Sequence, residues 1–444
     1  MRQMGLDRSI ATVATQLEPL HRETVMDVVA RRIEQLFAHF RARTSPSGHV
    51  ARRGHDLSTS AVDEPAHQER VLMRLAVNWI VSCFFGLLFC ATASAQGRDS
   101  ACTPSFSLQP PWLGADAAYS IPLPDGRDVW IFGDTLYGEK RLVKGEEPDM
   151  VHNTIGISTC ENGKWKIDYT IKRDAQGNPD SFFKPRQNNG TYYWALDGVE
   201  HNDELWITLV CVRNVPNSNA FALGFEICGT DLAQVTGLKS DPQNWKVAYF
   251  PLVPDGVHAN PSASALIEDN DLYIYTLYEK ESRPQILTRI PLKGLGDPKK
   301  NLQYLGSDNE WHQGLDPAKA KIIMKTGASE MSVRYHPELK QWIAVMVDPQ
   351  IFSDKVILRT SPSMIGPWTD GEVIYRIPIL QKNNPEYDAD TFCYAGKEHP
   401  EFEKKGDLVF TYVCNTMKPK KLQAETNIYF PQVVRMPMPD AVKK

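Results

Sequence analysis

The feature that most constrains this chain is a repeat. Five short apolar runs, at 129–133, 205–212, 272–277, 341–347 and 408–413, are each entered through a polar turn, at 125–128, 201–204, 268–271, 336–340 and 401–407. Runs of this length between turn residues read as β-strands. A further strand-like piece precedes each turn, and one or two follow each run, often with a tryptophan (Trp165, Trp245, Trp311, Trp368). The units recur every roughly 65–75 residues, and repetition of a three- or four-stranded antiparallel unit is the mark of a β-propeller. No stretch past position 95 carries a long apolar stripe of helical period; 231–238 and 317–321 have room for a helical turn each. The prediction is all-β: one five-bladed β-propeller of antiparallel three- to four-stranded blades over 96–444. A pair of β-sandwiches competes but leaves the recurring unit unexplained.

Residues 73–95 decide the expected location. Met73-Arg74 gives a short basic start, 75–89 is mostly apolar, and Ala91-Thr92-Ala93-Ser94-Ala95 supplies a small-residue cleavage site before Gln96. That is the layout of a secretory signal peptide, and it predicts a secreted or periplasmic protein with no stable membrane insertion after cleavage. A membrane anchor is the alternative, since 75–95 nearly spans a bilayer. Residues 1–72, with an Arg-rich amphipathic piece at 28–43, read as a non-native extension ahead of a true start at Met73, or as a cytoplasmic tail. Of eight cysteines, six follow the signal, and an even number in an exported chain permits disulfides. Cys211/Cys228 and Cys393/Cys414 each flank a loop between strand-like runs and so have a feasible pairing; free buried thiols are the alternative.

A net charge of −5 gives no support for nucleic acid as a partner. There is no Gly-x-Ser-x-Gly elbow and no P-loop. No Cys-x-x-Cys or His-x3-His spacing suggests zinc, and Asp269-Asn270-Asp271 lacks the glutamate of an EF-hand loop. No metal or cofactor is expected, and the chain is expected to act as a monomer.

The chemistry-bearing residues follow from the architecture. Trp130-Ile131-Phe132 ends at Gly133-Asp134, and Asp116 opens the preceding strand. In a turn-joined antiparallel pair, the entrance of the first strand and the exit of the second share an edge, so Asp116 and Asp134 should emerge together. By the same rule blade 2 contributes Tyr193, Trp194 and Arg213, blade 3 Asn260, Ser262 and Glu279, blade 4 Glu330 and Asp348, and blade 5 Glu398, His399 and Asn415. Paired carboxylates suit hydrolysis of a sugar bond, one as acid and one as base or nucleophile. Asp116 or Asp134 is read as base or nucleophile and Glu330 as general acid; the plain alternatives are a strand-entry turn, a backbone cap and an ion pair with Arg334. His152, Asn153, Trp194, Arg334, Asp348 and His399 are the candidate substrate-binding residues. Each has a structural reading too: solvated loop for His152, core for Trp194, ion pair for Arg334, turns for Asp348 and His399. Asp197 is a further candidate carboxylate.

Several of these segments resemble a known family. Asp116–Tyr119 with Trp130–Thr135 and His152-Asn153-Thr154 resembles the opening blade of the domain-of-unknown-function family 4185 (DUF4185). The run Glu330-Met331-Ser332-Val333-Arg334-Tyr335 with Gln341-Trp342 looks like its fourth blade, and His399-Pro400 with 408–415 its closing blade. The resemblance spans roughly 105–437 and implies a secreted five-bladed propeller, similar to glycoside hydrolases that cut arabinofuranose polymers. Lys397-Glu398 and Asp197 depart from that pattern. The function expected is hydrolysis of a poly- or oligosaccharide, such as arabinan. A non-catalytic carbohydrate-binding propeller and an envelope interaction scaffold are the alternatives.

Overall fold

The computed structural model describes residues 102–141, 149–185, 189–215, 224–350, 352–418, 421–422 and 427–443. The expected extension (1–72) and signal segment (73–95) lie outside the described residues. Among the described residues no helix is long and apolar enough to cross a membrane.

Five antiparallel sheets form a five-bladed propeller. Blade 1 runs β1 (Trp112–Pro122), β2 (Asp128–Tyr137), β4 (Thr154–Glu161) and β5 (Lys164–Thr170), with the short β3 (Asp149–Val151) on the end of β2. A two-stranded ribbon, β6 (Lys172–Arg173) and β7 (Pro179–Asp180), follows. Blade 2 is β8 (Thr191–His201), β9 (Glu204–Asn214), β10 (Phe225–Thr236) and β11 (Lys246–Pro254). Blade 3 is β12 (Ala259–Glu268), β13 (Asp271–Tyr278), β14 (Gln285–Pro291), β15 (Gln303–Leu305) and β16 (Trp311–Gln313). Blade 4 is β17 (Ser332–His336), β18 (Gln341–Val347), β19 (Lys355–Ser361) and β20 (Glu372–Arg376). Blade 5 is β21 (Thr391–Glu398), β22 (Asp407–Thr416) and β23 (Gln432–Pro437). The five apolar runs of the sequence are the second strands β2, β9, β13, β18 and β22. Blades 1 and 3 exceed the expected three or four strands. In blade 1 the connection after β2 adds β3; in blade 3 a short hairpin, β15–β16, extends the sheet beyond β14.

Each blade is sandwiched between two neighbours, so its first two strands are covered on both faces. That is why β2 reads as a continuous apolar run while the outer β5 alternates between exposed and covered positions. The cores lie between blades and close a ring. Tyr119 and Ile131 pack with Ile207 and Leu209 between blades 1 and 2, and Trp206 with Ile274 between 2 and 3. Tyr275 packs with Val333 between 3 and 4, Val345 with Phe410 between 4 and 5, and Val409 and Phe402 with Trp112 and Trp130 between 5 and 1. Arg435 of β23 completes the closure, donating to Thr103 Oγ1 (2.8 Å) and the Cys102 carbonyl (3.1 Å).

Disulfides join Cys211 to Cys228 and Cys393 to Cys414, as the sequence allows, and Cys102 to Cys160.

The innermost strands share a device that the repeat alone does not reveal. β1, β8, β12 and β21 each break register where they pass the axis, between Ala115 and Tyr119, Ala195 and Gly198, Pro261 and Ser264, and Tyr394 and Lys397. Bulges re-aim side chains, and here they turn chemistry-bearing residues toward the centre. Ala117, Ala118 and Ala395 adopt positive φ at these points (63°, 58° and 58°), costing roughly 1–2 kcal/mol each for an L-residue.

Candidate active site

Asp116 sits at the first bulge. The carboxylate accepts hydrogen bonds on Oδ2 from Tyr394 Oη (2.7 Å) and Tyr429 Oη (3.2 Å) of blade 5. Burial, then the charges of Asp134 and Glu330, push its carboxyl well above the usual carboxylate range; the two tyrosine donors pull it partway back. The residue keeps a partly open side, so water reaches it and the effect of burial is softened. Tyr394 and Tyr429 are themselves pushed up, chiefly by burial and by Asp116, and so stay protonated donors.

Gly133 makes this placement possible. A Cβ there would lie 2.2 Å from Asp116 Oδ1. Gly133→Ala must therefore displace the carboxylate: we expect at least a tenfold loss of turnover and a destabilisation of about 1–3 kcal/mol, read from kinetics and denaturant melts. Unchanged values would mean that Asp116 has another place to go.

Asp134 follows on β2 and is held by His152 Nδ1 (3.0 Å) and Trp194 Nε1 (3.4 Å). His152 stacks on Tyr192, ring centres 3.6 Å apart. Glu330 enters from the segment before β17 and meets Lys397 Nζ at 3.3 Å. Lys397 is buried (side chain 1% exposed). It donates to the carbonyls of Ala117 and Ala395 and lies 4.1 Å over the Tyr119 ring. Burial draws its ammonium below the usual lysine value, opposed first by Glu330.

The structure thus brings Asp116, Asp134, Glu330, His152 and Trp194 together, and it places the other four candidates elsewhere. Asn153 is fully buried and spends its amide on β8 and the segment leading into it: Nδ2 donates to the carbonyls of Phe183 (3.1 Å) and Tyr193 (2.9 Å), and Oδ1 accepts from Phe183 N (2.6 Å). Arg334 pairs with Asp197 (3.3 Å), not Glu330, and also donates to Ser264 Oγ (3.0 Å). Asp197 is itself buried and satisfied by the amides of Gly198 (2.9 Å) and Ala265 (2.8 Å), so it pins blades 2, 3 and 4 together. Asp348 closes its own turn, accepting from Ser353 Oγ (2.9 Å). His399 leaves β21 at the end away from Asp116 and bonds Ser120 Oγ (2.5 Å) and Thr411 Oγ1 (2.8 Å). Burial there keeps its imidazole well below the usual histidine value. An inner strand enters at one face and exits at the other, so residues after β21 cannot share the mouth with Asp116; Glu398 fails the same test.

Tyr119, Tyr394, Lys397 and Tyr429 were not anticipated. Three of them carry a legible signal. Asp116-Ala117-Ala118-Tyr119 and Tyr394-Ala395-Gly396-Lys397 share a pattern of polar or aromatic, small, small, long. It places the first residue at the mouth and the last at the axis.

Two aromatic walls flank the carboxylates. On the blade 2 side Trp194 packs edge-on to Phe225 (4.8 Å between ring centres). On the blade 5 side Tyr394 stacks with Phe392 (5.8 Å), which meets the half-exposed Phe352 edge-on (6.1 Å). A separate groove on blade 2, lined by Thr191, Arg213, Tyr249 and Asp255 among others, holds none of the three carboxylates.

Comparison with known proteins gives a fold and a family. A Bacteroides ovatus protein, whose hydrolase assignment is itself provisional, is 18% identical with a TM-score of 0.57, covering 74% of this chain and 87% of that one. An exo-1,5-α-L-arabinanase from a bovine ruminal metagenomic library is 14% identical (TM-score 0.39; 75% and 95% covered). An α-L-arabinofuranosidase from Podospora anserina is 10% identical (TM-score 0.38; 75% and 93% covered). At these identities the first likeness speaks for a shared fold alone. No curated protein matches the chain. The family is not 4185, which the motifs suggested; Gly133-Asp134 does not end its strand, since β2 continues to Tyr137, and the short motifs do not separate one propeller family from another. The chain belongs to the family described as domain of unknown function (DUF5005), matched over residues 104–437.

Proposed function

We propose that this protein is an exported glycoside hydrolase acting on a polysaccharide, with furanose-containing glycans such as arabinan as the leading substrate class. One observation carries the reading: Asp116, Asp134 and Glu330, from blades 1 and 4, meet at one mouth, where burial and then the charges of the other two push the Asp116 carboxyl up. Glycoside hydrolysis needs such an unequal set. Asp116, kept protonated by burial and its acidic neighbours and oriented by two tyrosine hydroxyls, gives its proton to the leaving oxygen. Glu330, ion-paired with the Lys397 ammonium, takes the proton of a water or attacks the sugar carbon itself, the reverse of the roles expected from the sequence. Asp134, fixed by His152 and Trp194, receives sugar hydroxyls, and the aromatic walls supply stacking surfaces. Three disulfides support export to an oxidising compartment.

The test is reducing-sugar release by residues 96–444 from a panel of arabinans, galactans and other plant and bacterial polysaccharides. Release from at least one, reduced tenfold or more in Asp134→Asn, is expected; a silent panel would count against hydrolysis. The pH dependence adds a second check. Tyr394 holds the Asp116 carboxyl down, so in Tyr394→Phe the alkaline limb of the kcat/KM profile should move to higher pH. A limb that stays put would remove Asp116 as the group titrating there.

A further inference from the structure

Below the carboxylate mouth, between blades 4 and 5, three side chains converge whose chemistry the reaction does not use. His336 ends β17, Glu398 ends β21, and Glu403 follows the turn after it. One ligand atom from each lies within 4.8 Å of the others. The imidazole of His336 and the carboxylate of Glu398 are buried, at 5% and 0% side-chain exposure.

Their polar atoms are poorly served. His336 Nε2 lies 2.8 Å from Glu398 Oε1, out of hydrogen-bond alignment, and the Glu403 carboxyl faces the same carboxylate. Two carboxyl groups that face each other in a buried site are costly unless a proton or a cation lies between them. The nearby cation, Arg334, is spent on Asp197, Ser264 and two carbonyls. The other ring nitrogen of His336, Nδ1, lies 3.2 Å from Glu338 Oε1. A histidine that ligates a metal commonly donates its second N–H to a carboxylate in this way, which leaves the first nitrogen's lone pair for the metal.

We propose that His336 Nε2, Glu398 and Glu403 form a divalent cation site of the zinc or manganese type, with water completing the coordination. An imidazole nitrogen with two carboxylates suits those ions, whereas calcium takes oxygen ligands. Two carboxylates neutralise a dication, and a bound ion relieves the repulsion between them. Its role is structural. It ties blade 4 to blade 5 beside the Ser332 hydroxyl that accepts from the Glu398 amide (2.8 Å), one residue beyond Lys397. The proposal is independent of the hydrolase reading.

The test is metal content by mass spectrometry of the untagged 96–444 protein. The protein is stripped with chelator, loaded separately with Zn2+, Mn2+ and Ca2+, and desalted. One equivalent of Zn2+ or Mn2+ per chain is expected, with a higher melting temperature, and both should be lost in Glu398→Gln and in Glu403→Gln. No retained Zn2+ or Mn2+, retention of Ca2+ alone, or full retention in both variants would overturn the proposal. If the variants fold poorly, zinc-edge X-ray absorption of the loaded wild-type chain decides. A nitrogen and oxygen shell with one imidazole supports the site; sulfur or several imidazoles refutes it.

Discussion

Asp116→Asn should abolish turnover and raise the melting temperature at pH 7. The two effects share a cause. The folded chain holds the Asp116 carboxyl well above its ordinary value through burial and the charges of Asp134 and Glu330, while the unfolded chain ionises it at the ordinary value near pH ~4. Folding therefore favours the protonated form. The stabilisation this gives is complete below the unfolded value and is lost as pH rises through the raised one. Asparagine keeps the shape, still accepts from Tyr394 and Tyr429, and has no charge to lose. The gain in melting temperature should thus be largest at neutral pH and vanish toward pH ~4. Removal of the general acid should cost at least ~1000-fold in kcat, about 4 kcal/mol of transition-state stabilisation. A variant that keeps activity, or that melts lower at pH 7, would show that the carboxylate is structural.

Glu330→Gln should lower turnover at least ~100-fold, about 2.7 kcal/mol, and here stability should fall. The difference is Lys397. Its ammonium is buried and has Glu330 as its ion-pair partner at 3.3 Å, so the amide leaves a buried cation uncompensated. A loss of about 1–3 kcal/mol is expected, from the general cost of breaking a buried pair, reduced because Glu330 retains some exposure. Adding Lys397→Met should restore much of the stability without restoring turnover. Recovery of activity in that double variant would remove Glu330 from the role of base or nucleophile. Opposite stability effects from two substitutions that both silence the enzyme would be hard to reconcile with any arrangement except one shared, unequally charged site.

Much of the architecture was readable because second strands of propeller blades are covered on both faces and bounded by turns, so each prints a short apolar run. Asp116, Asp134 and Glu330 were readable because strand direction alone assigns each to a face. Arg334 forms an ion pair, its structural reading, though with Asp197, while Asn153 and His399 turn inward; a polar residue near a candidate motif looks the same in sequence whether it faces solvent or crosses to the next blade. Asn153 bonds Phe183, on the segment leading into blade 2, and Tyr193 of β8. The bulges hid Lys397 and Tyr394. A shifted register breaks the two-residue alternation on which face assignment rests, and only the repeated small pair at 117–118 and 395–396 betrays it. The cluster of His336, Glu398 and Glu403 was invisible because its ligands come from separate elements with no fixed spacing.

The most direct measurement is a crystal structure of Asp116→Asn soaked with an arabino-oligosaccharide. The account predicts a sugar ring at the mouth between the aromatic walls, with its glycosidic oxygen in hydrogen-bond reach of position 116 and its anomeric carbon facing Glu330. A ligand seated instead in the blade 2 groove beside Arg213 and Tyr249, or at the opposite end of the axis, would contradict it.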